Sequence, residues 1–428
     1  MKIYLIFVLL ILVTVGVNTI SHNFLLKQRW NLWLGYGVPA LYMIIFMWIV
    51  SDHFPLFSDF NVAYYPAGRL ILQNPSELFQ EDDLKNILGF VNIPIIAILF
   101  TPFSFLSLPN AHLLLAVLSG LAIFTACYFL VKLTKVSGSE RLALLGLFVI
   151  NGPLYYSLRQ GNSTHFVLLL LLAGLFCIQA KREIWLGSLL AIAGLLKIPL
   201  FLLGIYYLMR GRLRVVVGFS ATLLAILGAS LILFGFDLHL AWFQHCIQPY
   251  AGKPMPAFNV QSVDGFLARL LTNSDLIKWV PIEVSWDFKV IRYALLSLLV
   301  GTAIWVCWRS KPPSTLEVEN LEFSIVLCLA LVISPISWTH YYLFLLLPLS
   351  LYLGKRLAVP KGQLWFNLVL LSTLLISLPV KLPPQPSNPV LSLVISKFLV
   401  SHYFFGGLLL LGVLLAARWQ NSKRVELS

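Results

Sequence analysis

Long runs of apolar residues, separated by short polar segments, extend along almost the whole 428-residue chain. A helix of about 20 apolar residues crosses the hydrocarbon core of a bilayer, so runs of this length predict transmembrane helices. The pattern therefore predicts an all-α fold, a multi-pass transmembrane helical bundle of about 13 spans. The expected spans lie near residues 3–20, 31–50, 110–131, 141–158, 163–180, 184–196, 198–209, 213–235, 288–308, 320–338, 341–354, 364–380 and 397–417.

Two apolar runs need separate treatment. The run 92–108 contains Pro94 and Pro102. Because proline ends or kinks a helix, we expect this run to form a partly inserted helix at the membrane surface. The first run, 3–20, has no convincing small-residue cleavage site, so we expect it to remain as an anchor helix.

Composition and charge agree with a membrane protein. Hydrophobic residues make up 59% of the chain and charged residues 11%, and the mean hydropathy is +0.88. The net charge of +13 could indicate nucleic-acid binding, but an excess of Lys and Arg in cytoplasmic loops explains it without such a partner. If Lys27 and Arg29 face the cytoplasm, more than half of the basic residues fall in short loops on that side, and most acidic residues fall opposite. We therefore expect no nucleic-acid partner and a protein of the cell membrane.

The same assignment of loops to the two sides of the membrane predicts a single transmembrane domain over residues 1–428. It has two long extracytoplasmic loops, 51–91 and 236–287. The amino terminus is expected outside and the carboxyl terminus inside. Since the cytoplasmic loops are short, any chemistry is expected on the extracytoplasmic face.

The first long loop begins with the stretch SDFNVAYYPAGRLILQNP at residues 58–75. It places Asp59 at the membrane edge and is expected to contain an amphipathic helix with Tyr64 and Arg69. A carboxylate can act as a general base, most efficiently when partial burial raises its pKa. The acidic run at 81–83 is interpreted as a solvated face, so the sequence predicts neither a metal site nor a cofactor.

Lys197, in the segment LLKIPLF, lies between two apolar helices of only 12 to 13 residues. Such helices cover about 20 Å of a hydrocarbon core that is about 30 Å thick. The turn at Lys197 is therefore expected below the outer surface, in a recess lined by protein. A lysine that snorkels to the lipid headgroups is the alternative.

Two polar junctions are further candidates. The segment YSLRQGNSTHF (156–166) places Arg159, Gln160 and Asn162 in one turn, although a tight loop between helices would look the same. The segment SPISWTHYYLF (334–344) contains Trp338 and His340. An aromatic belt accounts for the tryptophan and tyrosines but not for the histidine, which can donate a hydrogen bond near neutral pH.

The second long loop contains the segment NVQSVDGFLARLL (259–271), with Gln261 and Arg269 as candidate binding residues. Its simplest interpretation is an amphipathic helix capped by Ser262. Together, these cations and donors could hold a lipid-linked phosphate through charge-assisted hydrogen bonds while a carboxylate deprotonates a hydroxyl.

The order of these motifs resembles the GT-C superclass of glycosyltransferases, specifically family 87, which includes mannosyltransferases that depend on polyprenyl-phosphate mannose. The matching segments run from about residue 59 to residue 348. They are DFNVAYYPAGRLIL, IPIIAILFTPFSFLSLP, QGN before a span, WLGSLLAIAGLLKIPLFLL, NVQSVDGFLARLL and SPISWTHYYLFLLLPL.

The resemblance implies a GT-C type fold and inverting transfer of a hexose, with mannose expected, from a polyprenyl-phosphate donor without a metal. It implies that Asp59 is the base toward the acceptor hydroxyl and that His340 lies near the donor phosphate or the acceptor. It also matches the polar turn at Gln160 and Asn162 and the lysine turn at Lys197. The partners would be a polyprenyl-phosphate sugar, a lipid or glycan acceptor and membrane lipids.

Two other functions stay open from the sequence. A flippase or transporter for a lipid-linked glycan would also need recessed cations, although the chain shows no convincing internal repeat. A ligase or polymerase would instead transfer an oligosaccharide from a lipid diphosphate.

Overall fold

The structure is a computed structural model that describes residues 56–79, 89–272, 275–277, 279–309, 312–379 and 388–427. The expected spans 3–20 and 31–50 lie outside the described residues. Within these ranges the chain is helical and contains no strand, apart from an isolated antiparallel bridge between Val260 and Trp338. The all-α prediction is therefore confirmed.

Fifteen helices of eight residues or more occur in the described residues, and we label them in chain order. They are α1 (Tyr65–Gln73), α2 (Leu108–Thr134), α3 (Gly138–Val149), α4 (Gly152–Gln160), α5 (Thr164–Gln179), α6 (Glu183–Leu196), α7 (Phe201–Met209), α8 (Leu213–Trp242), α9 (Val263–Leu271), α10 (Trp286–Arg309), α11 (Leu316–Ile333), α12 (Leu346–Leu353), α13 (Gln363–Ser377), α14 (Pro389–Lys397) and α15 (His402–Leu427).

Four helical segments of the described chain are long and apolar enough to cross a membrane. They are Leu108–Thr134, Leu213–Tyr250, Trp286–Trp308 and Pro389–Ser422, and a fifth results if α3 and α4, which meet at a bend of 45°, form one span. The other apolar helices are 10 to 17 residues long, because turns such as those at Gly161 and Lys197 divide them. The helices fit a membrane protein, whereas the count of about 13 spans stays a prediction.

The run 92–108 does not form one continuous helix, as its prolines predict. A 3-10 helix at Pro94–Phe100 leads into the single turn Thr101–Ser104, and α2 begins only at Leu108. These short pieces support the first long loop from one side.

The core is centred on α11. Every residue from Asn320 to Val332 is buried, and so is every residue from Tyr342 to Leu351. A helix that is apolar on nearly all faces lies in a protein core or in a membrane, and the burial of α11 on every side places it in the core. Helices α7, α10, α12 and α15 contact α11 and bury it.

The second long loop begins later in the chain than the sequence predicts. The chain stays helical through Trp242, with a break in α8 at Gly235, where φ is 75°. Further on, α9 begins after Ser262, whose hydroxyl accepts a hydrogen bond from the Gly265 amide at 3.3 Å. The predicted helix cap is therefore confirmed.

Candidate active site

The first long loop is held by a helix that packs directly on a neighbouring backbone. A turn of π-helix at Phe60–Tyr64 continues into α1. A side chain at Gly68 would place its Cβ 2.4 Å from the Phe100 carbonyl oxygen, so this approach requires glycine. The ring of Tyr64 stacks on Phe100, with centroids 4.5 Å apart. These contacts fix the helix start, immediately before which Asp59 lies.

Asp59 lies between two walls. The first is α1 with the turn of π-helix before it, and the second is the polar turn after α4. Gly161 ends α4 in the left-handed region at φ 68°, and a Cβ there would lie 3.0 Å from Phe60 and 3.1 Å from Phe57. The Phe57 amide donates a hydrogen bond to the Arg159 carbonyl at 2.6 Å. The residues from Phe57 to Phe60 therefore lie against the turn.

Asp59 is half-buried between these two walls. The side chains of Asn162 and Ser58 hydrogen-bond its carboxylate, and the charge of Lys197 acts on it. Both influences favour the charged form, but burial outweighs them and raises the pKa of Asp59 to about 6. A carboxylate with this pKa is ionised at neutral pH and basic enough to accept a proton during a reaction.

Lys197 lies in the turn between α6 and the 3-10 helix that follows, and only 5% of its surface is exposed. Its Nζ stands 4.8 Å from the centroid of the Tyr341 ring, a distance typical of a cation–π contact. Tyr341 is also close enough to Asp59 for the two groups to interact electrostatically. The ammonium is thus buried among protein groups, as the two short helices predict, and we call the place that it shares with Tyr341 and Asp59 the recess.

His340 lies beside this pair. It belongs to a 3-10 helix at Thr339–Leu345 that follows α11, and its ring meets Tyr341 edge-on with centroids 5.0 Å apart. The imidazole is close enough to Lys197 for the two groups to interact electrostatically. Its Nδ1 is buried without a hydrogen-bond partner among the described residues. The structure therefore brings Asp59, Lys197 and His340 together.

Tyr64 and Gln160 lie close to the same groups, and Arg159 belongs to the adjoining turn. The Tyr64 hydroxyl interacts with Ser163 and Asn92 and lies near Asp59. Gln160 is half-buried and accepts a hydrogen bond from the Asn162 amide at 3.2 Å. Arg159 is half-buried in the last turn of α4.

Arg69, in contrast, is exposed on α1. Its Nε donates to Gln73 Oε1 on the same helix at 3.0 Å. Trp338 is half-buried and pairs with Val260 through the isolated bridge. The structure therefore does not place these two residues in contact with Asp59 or Lys197.

Gln261 and Arg269 are engaged in the protein itself. The Gln261 amide donates to the carbonyls of Phe258 and Val400 at 2.9 and 2.8 Å. The Arg269 guanidinium donates to Ala257 and Val260 carbonyls at 2.9 and 2.8 Å, and to Ser401. We assign both side chains to the stability of the second loop and leave them out of the proposed site.

Sequence reasoning missed several residues around the recess. An aromatic belt is enough to explain Tyr341 from the sequence, and His165 has no separate signal within the polar segment 156–166. Ser119 lies in the middle of α2 and carries no local signal. Within the described ranges, no group of three or more His, Cys, Asp or Glu side chains is arranged to hold a metal ion.

Comparisons with known proteins point to one family. The model of glycosyltransferase family 87 matches residues 90–335, which is more than half of the chain. The polyprenol-phosphate-mannose-dependent alpha-(1-2)-phosphatidylinositol mannoside mannosyltransferase of Mycolicibacterium smegmatis (strain ATCC 700084 / mc(2)155) is 25% identical over 321 residues, which cover 72% of this chain and 71% of that protein. No solved structure matches the chain. Lys197 lies inside the matched range, while Asp59 and His340 lie outside it.

Proposed function

Because the chain belongs to glycosyltransferase family 87, we propose that this membrane glycosyltransferase moves a hexose, with mannose expected, from a polyprenyl-phosphate donor to a lipid or glycan acceptor. The name of the mycobacterial relative supports a polyprenyl-phosphate sugar as donor and a lipid as acceptor. The apolar helices support a site reached by membrane lipids.

The observation that carries the proposal is the placement of Asp59 and Lys197 in one recess. In the proposed reaction, the acceptor hydroxyl oxygen attacks the anomeric carbon and its proton passes to the Asp59 carboxylate. The bond between that carbon and the phosphate oxygen breaks, and the phosphate leaves with the electron pair. A single displacement of this kind inverts the configuration at the sugar.

Lys197 and His340 would serve the donor. An ammonium stabilises the charge that develops on a leaving phosphate, most strongly where water is excluded. The buried, unpartnered Nδ1 of His340 would gain a partner from a phosphate oxygen or a substrate hydroxyl. Tyr64, Arg159, Gln160 and Asn162 would contact the sugar.

We place the active site on the extracytoplasmic face of the cell membrane. The distribution of basic and acidic residues in the sequence supports this orientation. A donor carried by a membrane lipid suits that face, and the lysine recess between two short helices suits a phosphate at membrane depth.

The test is a transfer assay with purified protein in lipid nanodiscs and three donors: polyprenyl monophosphate mannose, a lipid diphosphate-linked glycan and a nucleotide sugar. The proposal predicts a new glycosidic bond only with the monophosphate donor, and an inverted anomeric centre by NMR. Transfer from the diphosphate alone would instead show a ligase or polymerase. Movement of a lipid-linked glycan across vesicles without covalent transfer would show a flippase.

A further inference from the structure

A chain of buried hydrogen bonds connects the helix α2 with the candidate base. Ser119 Oγ lies 2.9 Å from His165 Nε2, and the other ring nitrogen, Nδ1, lies 2.8 Å from Ser157 Oγ. Ser157 Oγ lies 3.0 Å from Asn162 Oδ1, and the Asn162 side chain hydrogen-bonds Asp59. The first four residues are all buried. The chain therefore joins two separate parts of the sequence, Ser119 and the segment from Ser157 to His165, to the carboxylate.

One backbone amide sets the direction of every bond in this chain. The Thr164 N–H can only donate, and it lies 3.0 Å from Asn162 Oδ1, so that atom is an oxygen. Ser157 must therefore donate its single proton to the same oxygen, and it accepts from Nδ1–H of His165. The neutral imidazole then accepts at Nε2 from the Ser119 hydroxyl. All donors point toward Asp59.

This arrangement leaves the Asn162 NH2 group facing the carboxylate and Gln160. Asn162 Nδ2 donates to Gln160 Oε1 at 3.2 Å, and the same amide favours the charged form of the Asp59 carboxylate. A hydrogen bond that is donated to a carboxylate favours its charged form. The hydrogen bonds that Thr164 and Ser157 donate to its oxygen hold the amide in this orientation.

We propose that Ser119, His165 and Ser157 are positioning residues that act through Asn162 to orient the Asp59 carboxylate and keep it ionised. None of the three needs to touch a substrate. The geometry of the chain stands by itself, while its effect on catalysis rests on the proposed role of Asp59 as base.

The experiment measures how easily Asp59 is protonated in the full-length protein, with and without the chain. Dicyclohexylcarbodiimide modifies protonated carboxyl groups in apolar surroundings, and mass spectrometry of the Asp59 peptide gives the pH midpoint of modification. Ser157→Ala should move this midpoint upward by about 0.5 to 1 pH unit, because a weakened bond to the charged form raises the pKa. The acid limb of kcat/KM should move by the same amount.

Matched variants separate positioning from general damage. Ser119→Ala should shift the midpoint in the same direction but less, and Ser119→Thr, which keeps the hydroxyl, should restore it. Ser324→Ala removes a buried hydroxyl whose one hydrogen bond within the described residues is to the Asn320 carbonyl on α11, at 2.7 Å. This variant should leave the midpoint unchanged. Thermal unfolding of each variant confirms that the protein is folded.

The outcomes also distinguish this inference from the proposed function. A shifted midpoint in a protein that transfers no sugar would support positioning and reject the enzyme mechanism. An equal midpoint in the wild type and Ser157→Ala would overturn the positioning proposal even if the protein is an active transferase. In an active transferase, an acid limb of kcat/KM at the same pH in the wild type and Ser157→Ala would overturn it as well.

Discussion

Two acids inside this protein, Asp59 and Glu322, have opposite surroundings. Glu322 is fully buried on α11, and its carboxylate accepts from Tyr206 at 2.7 Å, from Arg418 at 2.7 Å and from two nitrogens of Arg210. Asp59 is half-buried, and none of the described ion pairs joins it to a cation, although the charge of Lys197 acts on it.

The difference separates a structural acid from a candidate catalytic one. At Glu322 every lone pair is directed at a donor, so the carboxylate is stabilised and inaccessible. At Asp59 burial disfavours the charge more than the neighbours favour it, and the group is left able to accept a proton. Both acids are buried to some extent, so burial alone does not identify the site.

Removing the charge of Asp59 should have the largest effect on activity. Asp59→Asn should lower kcat/KM by about 10²- to 10⁴-fold, the usual contribution of a general base, while the protein stays folded. The transfer assay with polyprenyl monophosphate mannose measures the change. Glu77→Gln, at an exposed acid of the same loop, should keep full activity; equal activity of Asp59→Asn would reject Asp59 as base.

Removing the charge of Glu322 should act on stability instead. Glu322→Gln leaves the guanidinium groups of Arg210 and Arg418 without their carboxylate and should lower the free energy of unfolding by about 3 to 5 kcal/mol. Thermal unfolding in detergent measures this loss of stability. Glu283→Gln, which removes the acid of the exposed ion pair with Lys253, is the control and should have little effect. A normal Tm in Glu322→Gln would remove the contrast between the two acids.

Lys197→Met should weaken donor binding and change the pH dependence of activity. Loss of the ammonium should raise KM for the donor by about 10- to 100-fold, because a hydrogen bond to a charged group contributes about 1.5 to 3 kcal/mol to binding.

In the wild type, kcat/KM should fall below pH 6 as Asp59 becomes protonated. Because Lys197 lowers the pKa of Asp59, the variant should begin this fall at a higher pH. An unchanged acid limb would contradict the electrostatic interaction between Lys197 and Asp59.

Gly161→Ala should disturb the wall that holds Asp59. A left-handed alanine costs about 1 to 2 kcal/mol, and its Cβ would press on Phe57 and Phe60. Gly211→Ala is the control, because φ is 66° there as well but a Cβ would have no described neighbour within 4 Å. It should show a similar loss of stability from the backbone conformation. Only Gly161→Ala should also lose activity, by about tenfold, because it displaces the loop that carries Asp59. Equal activity in both variants would show that the contact does not position the site.

The raised pKa of Asp59 also predicts a small, pH-dependent change in stability. A carboxyl whose pKa is higher in the folded state stabilises the fold while it is protonated, and this stability is lost as the pH rises through about 6. The Tm of Asp59→Asn should therefore match that of the wild type near pH 4 and exceed it at pH 7.5. A lower Tm in Asp59→Asn at pH 7.5 would mean that the ionised carboxylate is well compensated.

Local features of the fold and site could be predicted because their signals lie within a few residues. The apolar runs indicated an all-helical membrane protein, Ser262 indicated a helix cap, and the short helices around Lys197 indicated a recessed turn. The polar segment 156–166 indicated a junction between two apolar helices. Each of these follows from backbone geometry or from the length of an apolar run.

The remaining features depend on contacts between distant parts of the chain. Ser119 and His165 are 46 residues apart, and Arg210 and Glu322 are 112 apart, so no local pattern pairs them. Arg269 and Gln261 looked like free polar groups because their partners, the carbonyls of Val260 and Val400, are backbone atoms. Polar side chains that serve the protein and those that serve a substrate have the same local sequence signature.

A structure with the donor bound would test the central claim most directly. Cryo-electron microscopy of Asp59→Asn in nanodiscs with a polyprenyl monophosphate sugar should show a phosphate oxygen at about 2.7 to 3.2 Å from Lys197 Nζ. The residue at position 59 should face the anomeric carbon from the side opposite the phosphate. A phosphate bound elsewhere, with the recess between Lys197, His340 and position 59 filled by protein side chains, would contradict the account.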